Sequence, residues 1–201
     1  MGKWDEIGHI VKKYTDERNY KGTVMSWASD SILQEMNRIR DEDPGASALE
    51  VGAGPNPAIH MFAKRTYVDL HPDLLRFKEL DGDKIVADIR KLDIPRHDVI
   101  VLNDSFNHVP PGEQEALLER IADAANKHVW IADLLDDGLP GHGVKEDKLR
   151  EVMQRKGFKC KSFYRDQPGF QFGKDEEAPT YFFFKATREK SRREPARRLP
   201  V

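Results

Sequence analysis

Apolar residues recur at three- and four-residue steps over 24–40, where Val24, Trp27, Ala28, Ile32, Met36 and Ile39 fall on one stripe of a predicted helix. A second helix is predicted over 3–18, and "DEDPG" at 41–45 ends the helical region through Pro44 and Gly45. A different rhythm then begins. "SALEV", "RTYVDL", "KIVAD", "HDVIVLN" and "HVWIADLL" are short apolar or β-branched runs, each read as a strand. Between them the pattern predicts a short helix over Pro57–Lys64, one near 72–80, one over "GEQEALLERIADAA" and one over "KEDKLREVMQRKG". Strands alternating with helices make a parallel sheet covered on both faces, an α/β class of fold, and runs such as "VIVL" suit strands buried on two sides. The rhythm breaks at the end. "FKCKSFYRD" and "PTYFFFKAT" have no helix between them, so they are expected to pair as an antiparallel hairpin. The sheet therefore has five parallel strands and a terminal hairpin.

Composition narrows this picture little but usefully. A chain of 201 residues suits one domain with short additions. Its formal net charge of −2 argues against a body built to bind polyanions. The single cysteine, Cys160, excludes an internal disulfide framework and paired-cysteine metal sites. The histidines are scattered, with no metal-binding spacing, so no metal is expected. The N-terminus reads neither as a signal peptide nor as a myristoylation site, and no window holds the ~18 apolar residues of a membrane helix. A cytoplasmic protein is the expectation. The last residues, 188–201, are basic and unpatterned, and read as a poorly ordered tail.

Candidate chemistry gathers at the strand ends. In "ALEVGAGPNPAIH", residues 48–60, a carboxylate precedes a glycine turn. Gly52 and Gly54 let the backbone turn tightly and approach a ligand, because no Cβ intervenes. In open parallel sheets ligands bind beyond such carboxyl ends. A dinucleotide pyrophosphate wants bare amide N–H groups and would be repelled by Glu50, and Pro57 takes the place of the third glycine in a dinucleotide fingerprint. S-adenosylmethionine carries an ammonium and a sulfonium, both of which an anion attracts. Asp69, with Leu70 after it, ends the second strand, where a carboxylate can accept from ribose hydroxyls. Asp88 and Ile89 follow the third, where the first can accept from an adenine amino group and the second can offer an amide and an apolar face. "VLNDSFNHVP" follows the fourth. Singly, each acid has a plainer reading as a loop or capping residue. The joint spacing carries the argument.

On these motifs the chain resembles the class I S-adenosylmethionine-dependent methyltransferases over residues 46–187. "LEVGAGP" is similar to the family's first motif, "YVDLHP" to its second-strand acid, "ADIRKL" to its adenine-contacting turn. "DVIVLNDSFNHVP" resembles the fourth-strand motif of a small-molecule branch that includes the ubiquinone and menaquinone biosynthesis methyltransferases. The family's usual "PGG" turn before the fifth strand is replaced by "ANKHVW". The resemblance implies a Rossmann-like, doubly wound sheet of seven strands in the order 3-2-1-4-5-7-6. It also implies an N-terminal helical cap over 1–45, a methyltransferase domain over 46–187 and the tail over 188–201.

It further implies S-adenosylmethionine as cofactor, contacted by Glu50, Gly52, Ala53, Gly54, Asp69, Leu70, Asp88, Ile89, Asn103 and Phe106, and direct displacement of the methyl group by a small-molecule acceptor. His108, and after it Asp104, are the candidate general bases, since an imidazole titrates near neutrality. Tyr14, Tyr20, Trp27, Phe170 and Phe172 are candidates to line the acceptor pocket. Two other readings stay open. A methyltransferase for RNA or protein could use the basic tail, whose cations would make nucleic-acid binding salt-sensitive. A noncatalytic module could bind the cofactor and turn nothing over.

Overall fold

The computed structural model describes residues 25–53, 57–70, 72, 81–103, 105–134, 144–165 and 181–189. Helix α1 spans Met25–Glu42, followed by strands β1 (Ser47–Val51), β2 (Lys64–Asp69), β3 (Asp83–Val86) and β4 (His97–Asn103). A 3-10 turn covers Phe106–His108. Helix α2 (Pro111–Ala124), strand β5 (Ala125–Leu134), helix α3 (Glu146–Arg155) and strands β6 (Phe158–Arg165) and β7 (Tyr181–Arg188) complete the order. One seven-stranded sheet results, in the order β3-β2-β1-β4-β5-β7-β6. The first five strands pair parallel, and β7 lies antiparallel between β5 and β6, as the sequence pattern and the resemblance both lead one to expect.

Strand alternation sorts side chains between two cores. Ile32, Met36 and Ile39 of α1 pack with Ala48, Tyr67, Val99, Val101 and Trp130 on one face. Leu117, Leu118 and Ile121 of α2 and Leu149, Val152 and Met153 of α3 pack with Leu49, Ile100, Leu102, Phe182 and Phe184 on the other. The stripe of α1 therefore points where its spacing predicts; Val24 and the side chains of Trp27 and Ala28 lie outside the described residues. No helix among the described residues is long and apolar enough to cross a membrane.

Two local departures from the sequence pattern have physical causes. Residues 58–61 form a turn and not a helix, closed by the Phe62 amide donating to Ile59 O at 3.1 Å. Ala58, Ile59 and Phe62 all go into the α1-side core, and Lys64 already belongs to β2, so no room remains for helical turns. Of the helix read near 72–80, all but Pro72 lies outside the described residues. The second departure is at Ala125, where α2 passes straight into β5 with no intervening loop.

The buried carbonyls at that junction, left without helical partners, need donors. Arg188 supplies them, donating from Nη2 to Ala122 O at 2.7 Å and Ala125 O at 3.0 Å, and from Nη1 to Lys156 O, just past α3, at 3.0 Å. Its guanidinium also stacks 4.2 Å from the Phe158 ring. Arg188 thus ends β7 and ties two helix C-termini to it, where the sequence pattern counted it as the first residue of the tail. Arg188→Ala is expected to lower unfolding free energy by about 2–3 kcal/mol, the scale of hydrogen bonds made by a charged donor. Urea denaturation checks this, and a loss under 0.5 kcal/mol would return Arg188 to the tail.

Candidate active site at the parallel strand ends

The strand order reverses between β1 and β4, so the crevice of this sheet opens at their carboxyl ends. Glu50 stands there. It pairs with Tyr67 on one side and Val101 on the other, and shares the α1 side of the sheet with Ala48. Only 1% of it is exposed. Its Oε2 accepts from the Ala58 amide at 2.7 Å, which is what folds the 58–61 turn back under the strand end. Its Oε1 has no hydrogen-bond partner. Burial pushes the carboxyl pKa up to about 8, against the pull of the Ala58 and Ile59 amides. A buried acceptor left without a donor is costly and marks a place where a donor can bind.

The glycine turn follows. Gly52 has φ +66, and its amide donates to Val68 O at 2.8 Å. A Cβ built on Gly52 would lie 2.5 Å from the Ser105 Cβ. The bare space that the sequence pattern assigns to a ligand is therefore taken by the protein's own β4 turn. Ser105 Oγ completes this contact by donating to Val51 O at 2.9 Å. Ala53 is buried in the α1-side core, and Gly54 lies outside the described residues.

At the β2 and β3 ends the expected residues occupy the same sheet edge. Asp69 is buried at the end of β2, and its main-chain oxygen accepts from the Ala87 amide at 2.9 Å. Leu70 beside it is 38% exposed, an open apolar surface at the rim. Asp88 is differently employed than the pattern suggests. Its carboxylate accepts from Arg90 Nε at 2.9 Å, Arg90 Nη2 at 2.6 Å and the Arg90 amide at 3.0 Å, and that guanidinium holds its pKa below the usual carboxylate range. Arg90 in turn reaches Glu113 of α2 at 3.2 Å. An adenine amino group at Asp88 would compete with this clamp. Ile89 packs against the α2-side core.

At the β4 end Asn103 is buried, and alternation from Val101 puts it on the same side as Glu50. Its Oδ1 has no hydrogen-bond partner, and neither has the buried Asn107 Oδ1. Phe106, which the resemblance sets against the cofactor, is 1% exposed and packs in the α2-side core. His108 closes the 3-10 turn, half-buried. Asp104, Tyr14, Tyr20, Phe170 and Phe172 lie outside the described residues, as does the Trp27 side chain on α1.

Sequence reasoning passed over Asp133. It sits on β5 opposite Phe182, fully buried, and its Oδ2 accepts from the Phe106 amide at 2.9 Å and the Asn107 amide at 3.0 Å. The signal was available, since a carboxylate inside the apolar run "VWIADLL" is the same anomaly as Glu50 inside "SALEV".

No family model and no curated protein matches the chain. Solved structures are similar in fold. Magnesium protoporphyrin IX methyltransferase from Synechocystis, with bound S-adenosylmethionine, aligns at TM-score 0.69 and 14% identity over 92% of this chain and 94% of its own. The N-methyltransferase NodS from Bradyrhizobium japonicum, in complex with S-adenosylhomocysteine, aligns at 0.67 and 11% identity over 91% and 98%. The 1,6-didemethyltoxoflavin N1-methyltransferase of Burkholderia thailandensis, holding 1,6-didemethyltoxoflavin and S-adenosylhomocysteine, aligns at 0.60 and 20% identity over 91% and 87%. These likenesses show that the chain has the class I methyltransferase fold.

Proposed function

We propose that this chain is an S-adenosylmethionine-dependent methyltransferase that acts on a small-molecule acceptor. The observation that carries the reading is the buried Glu50 carboxylate, with one oxygen unpartnered, at the topological switch point of this fold. Unpartnered acceptors on Glu50 and Asn103 suit a ligand that brings N–H donors and positive charge, and they disfavour a pyrophosphate. The three similar structures support the cofactor by what they hold, and two of them support the small size of the acceptor by what they are named for.

On this reading Asp69 accepts from the ribose hydroxyls, Leu70 and Ile89 flank the base, and Glu50 and Asn103 face the aminoacyl end. The cofactor supplies an activated methyl group, so the chain's work is alignment and exclusion of water. His108 stands on the turn after β4 and takes the proton from an oxygen or nitrogen acceptor; Asp104 is the second candidate for that role. Residues 46–187 form the transfer domain and follow a segment 1–45 of which the helix Met25–Glu42 is a described part, in a cytoplasmic enzyme.

Isothermal titration with S-adenosylhomocysteine and, separately, NAD tests the reading; binding of NAD alone would defeat it. Asp69→Ala is expected to weaken S-adenosylhomocysteine by about 1.5–3 kcal/mol, roughly 10- to 150-fold, as a charged acceptor is lost. An unchanged dissociation constant would remove Asp69 from the site.

A further inference from the structure

The turn after β4 is pinned from three elements. Ser105 Oγ donates to Val51 O of β1 at 2.9 Å, Gln114 Nε2 of α2 donates to Val109 O at 3.0 Å, and Asp133 of β5 accepts from two successive amides. Of these only Asp133 brings a charge, and it does so at 0% exposure beside Ile131, Phe106 and Phe182 of the α2-side core. Burying a carboxylate costs several kcal/mol unless hydrogen bonds compensate it. An apolar side chain would fill that volume at less cost if packing were the only demand. What the carboxylate adds is direction. By drawing the Phe106 and Asn107 amides toward the α2 side, it fixes the orientation of the turn that carries Asn107 and His108 next to the glycine turn of β1.

We propose that Asp133 is a positioning residue for methyl transfer, holding the turn after β4 in register with the aminoacyl end of the bound cofactor. This rests on the methyltransferase reading above. It makes a split that mere loss of stability would not make. On that reading adenosine meets the β2 and β3 ends, which β4 and β1 separate from Asp133 on β5, whereas the aminoacyl arm of S-adenosylhomocysteine reaches the β1 and β4 turns.

The experiment titrates the full chain, as wild type, Asp133→Ala and Asp133→Asn, with S-adenosylhomocysteine and with adenosine. Asp133→Ala is expected to weaken S-adenosylhomocysteine at least about tenfold, and Asp133→Asn, which keeps a neutral acceptor, about threefold, while adenosine stays within about twofold in both. Equal weakening of the two ligands, or wild-type affinity for S-adenosylhomocysteine in the variants, overturns the proposal. Should Asp133→Ala fail to fold, the split in Asp133→Asn decides alone. Failure of the wild type to bind S-adenosylhomocysteine would sink the methyltransferase reading and this role with it. Binding without the split would sink only the role of Asp133.

Discussion

Glu50→Gln is expected to make the protein more stable at pH 8.5 than the wild type while destroying its affinity for the cationic cofactor. The folded state raises the Glu50 pKa to about 8 because the carboxyl is buried. In an unfolded chain it titrates near the ordinary value of about 4.3. A raised acid holds its proton more tightly in the folded state, so its favourable contribution is complete below the unfolded pKa and is lost as pH climbs to the folded one. Between about pH 4.5 and 8 the wild type should lose up to about 1.4 kcal/mol per pH unit from this group, on the order of 4–5 kcal/mol as a ceiling. Glutamine is close in shape, keeps an acceptor for the Ala58 amide and does not titrate. The two proteins should therefore have similar stability at pH 5 and diverge in favour of the variant toward pH 8.5, by about 2–4 kcal/mol, in urea denaturation at the two pH values. Ligand binding runs the other way. A cation prefers the ionised carboxylate, so wild-type affinity for S-adenosylmethionine should rise with pH and level off above about 8, and the variant should show no such rise. Parallel stability curves for the two proteins would mean that Glu50 is not a stored, uncompensated carboxyl.

That a carboxylate of this kind could be picked out from sequence, while the equally buried Asp133 was passed over, shows what such patterns report. Apolar runs and their alternation register burial, and the seven strands and the apolar stripe by which α1 packs on the sheet were legible for that reason. Glu50 was legible because glycines follow it. Asp133 has no such flag, and its meaning comes from amides that lie 26 and 27 residues earlier in the chain. Partnership between charges is equally silent. Nothing in "ADIRKL" says that Arg90 folds back on Asp88, nor does the basic run after 187 say that Arg188 closes two helix ends. The Pro57–Lys64 segment was misread because helix propensity counts for little when a buried carboxylate recruits the Ala58 amide and the strand must begin at Lys64. Nor does the sequence say that the Phe106 ring packs in the α2-side core while its amide donates to Asp133.

Gly52→Ala is expected to destabilise the protein by about 2–5 kcal/mol, the sum of a left-handed backbone imposed on a residue with a Cβ, roughly 1–2 kcal/mol, and of overpacking, roughly 1–3 kcal/mol. The overpacking is specific, because the new methyl would lie 2.5 Å from the Ser105 Cβ. Ser105→Gly removes that atom, together with the bond to Val51 O, and should cost about 1 kcal/mol alone. In the double variant the clash is gone while the backbone strain stays. The two changes should therefore be non-additive, with the double variant at least about 1 kcal/mol more stable than the sum of the single losses implies. The cycle separates two reasons for a glycine at this turn. If position 52 were kept bare only so that a ligand could come near, Ser105 would be irrelevant to it and the losses would add. If the glycine exists so that the β1 and β4 turns can close on each other, the coupling appears in denaturant with no ligand present, and the crevice is shaped before any cofactor arrives.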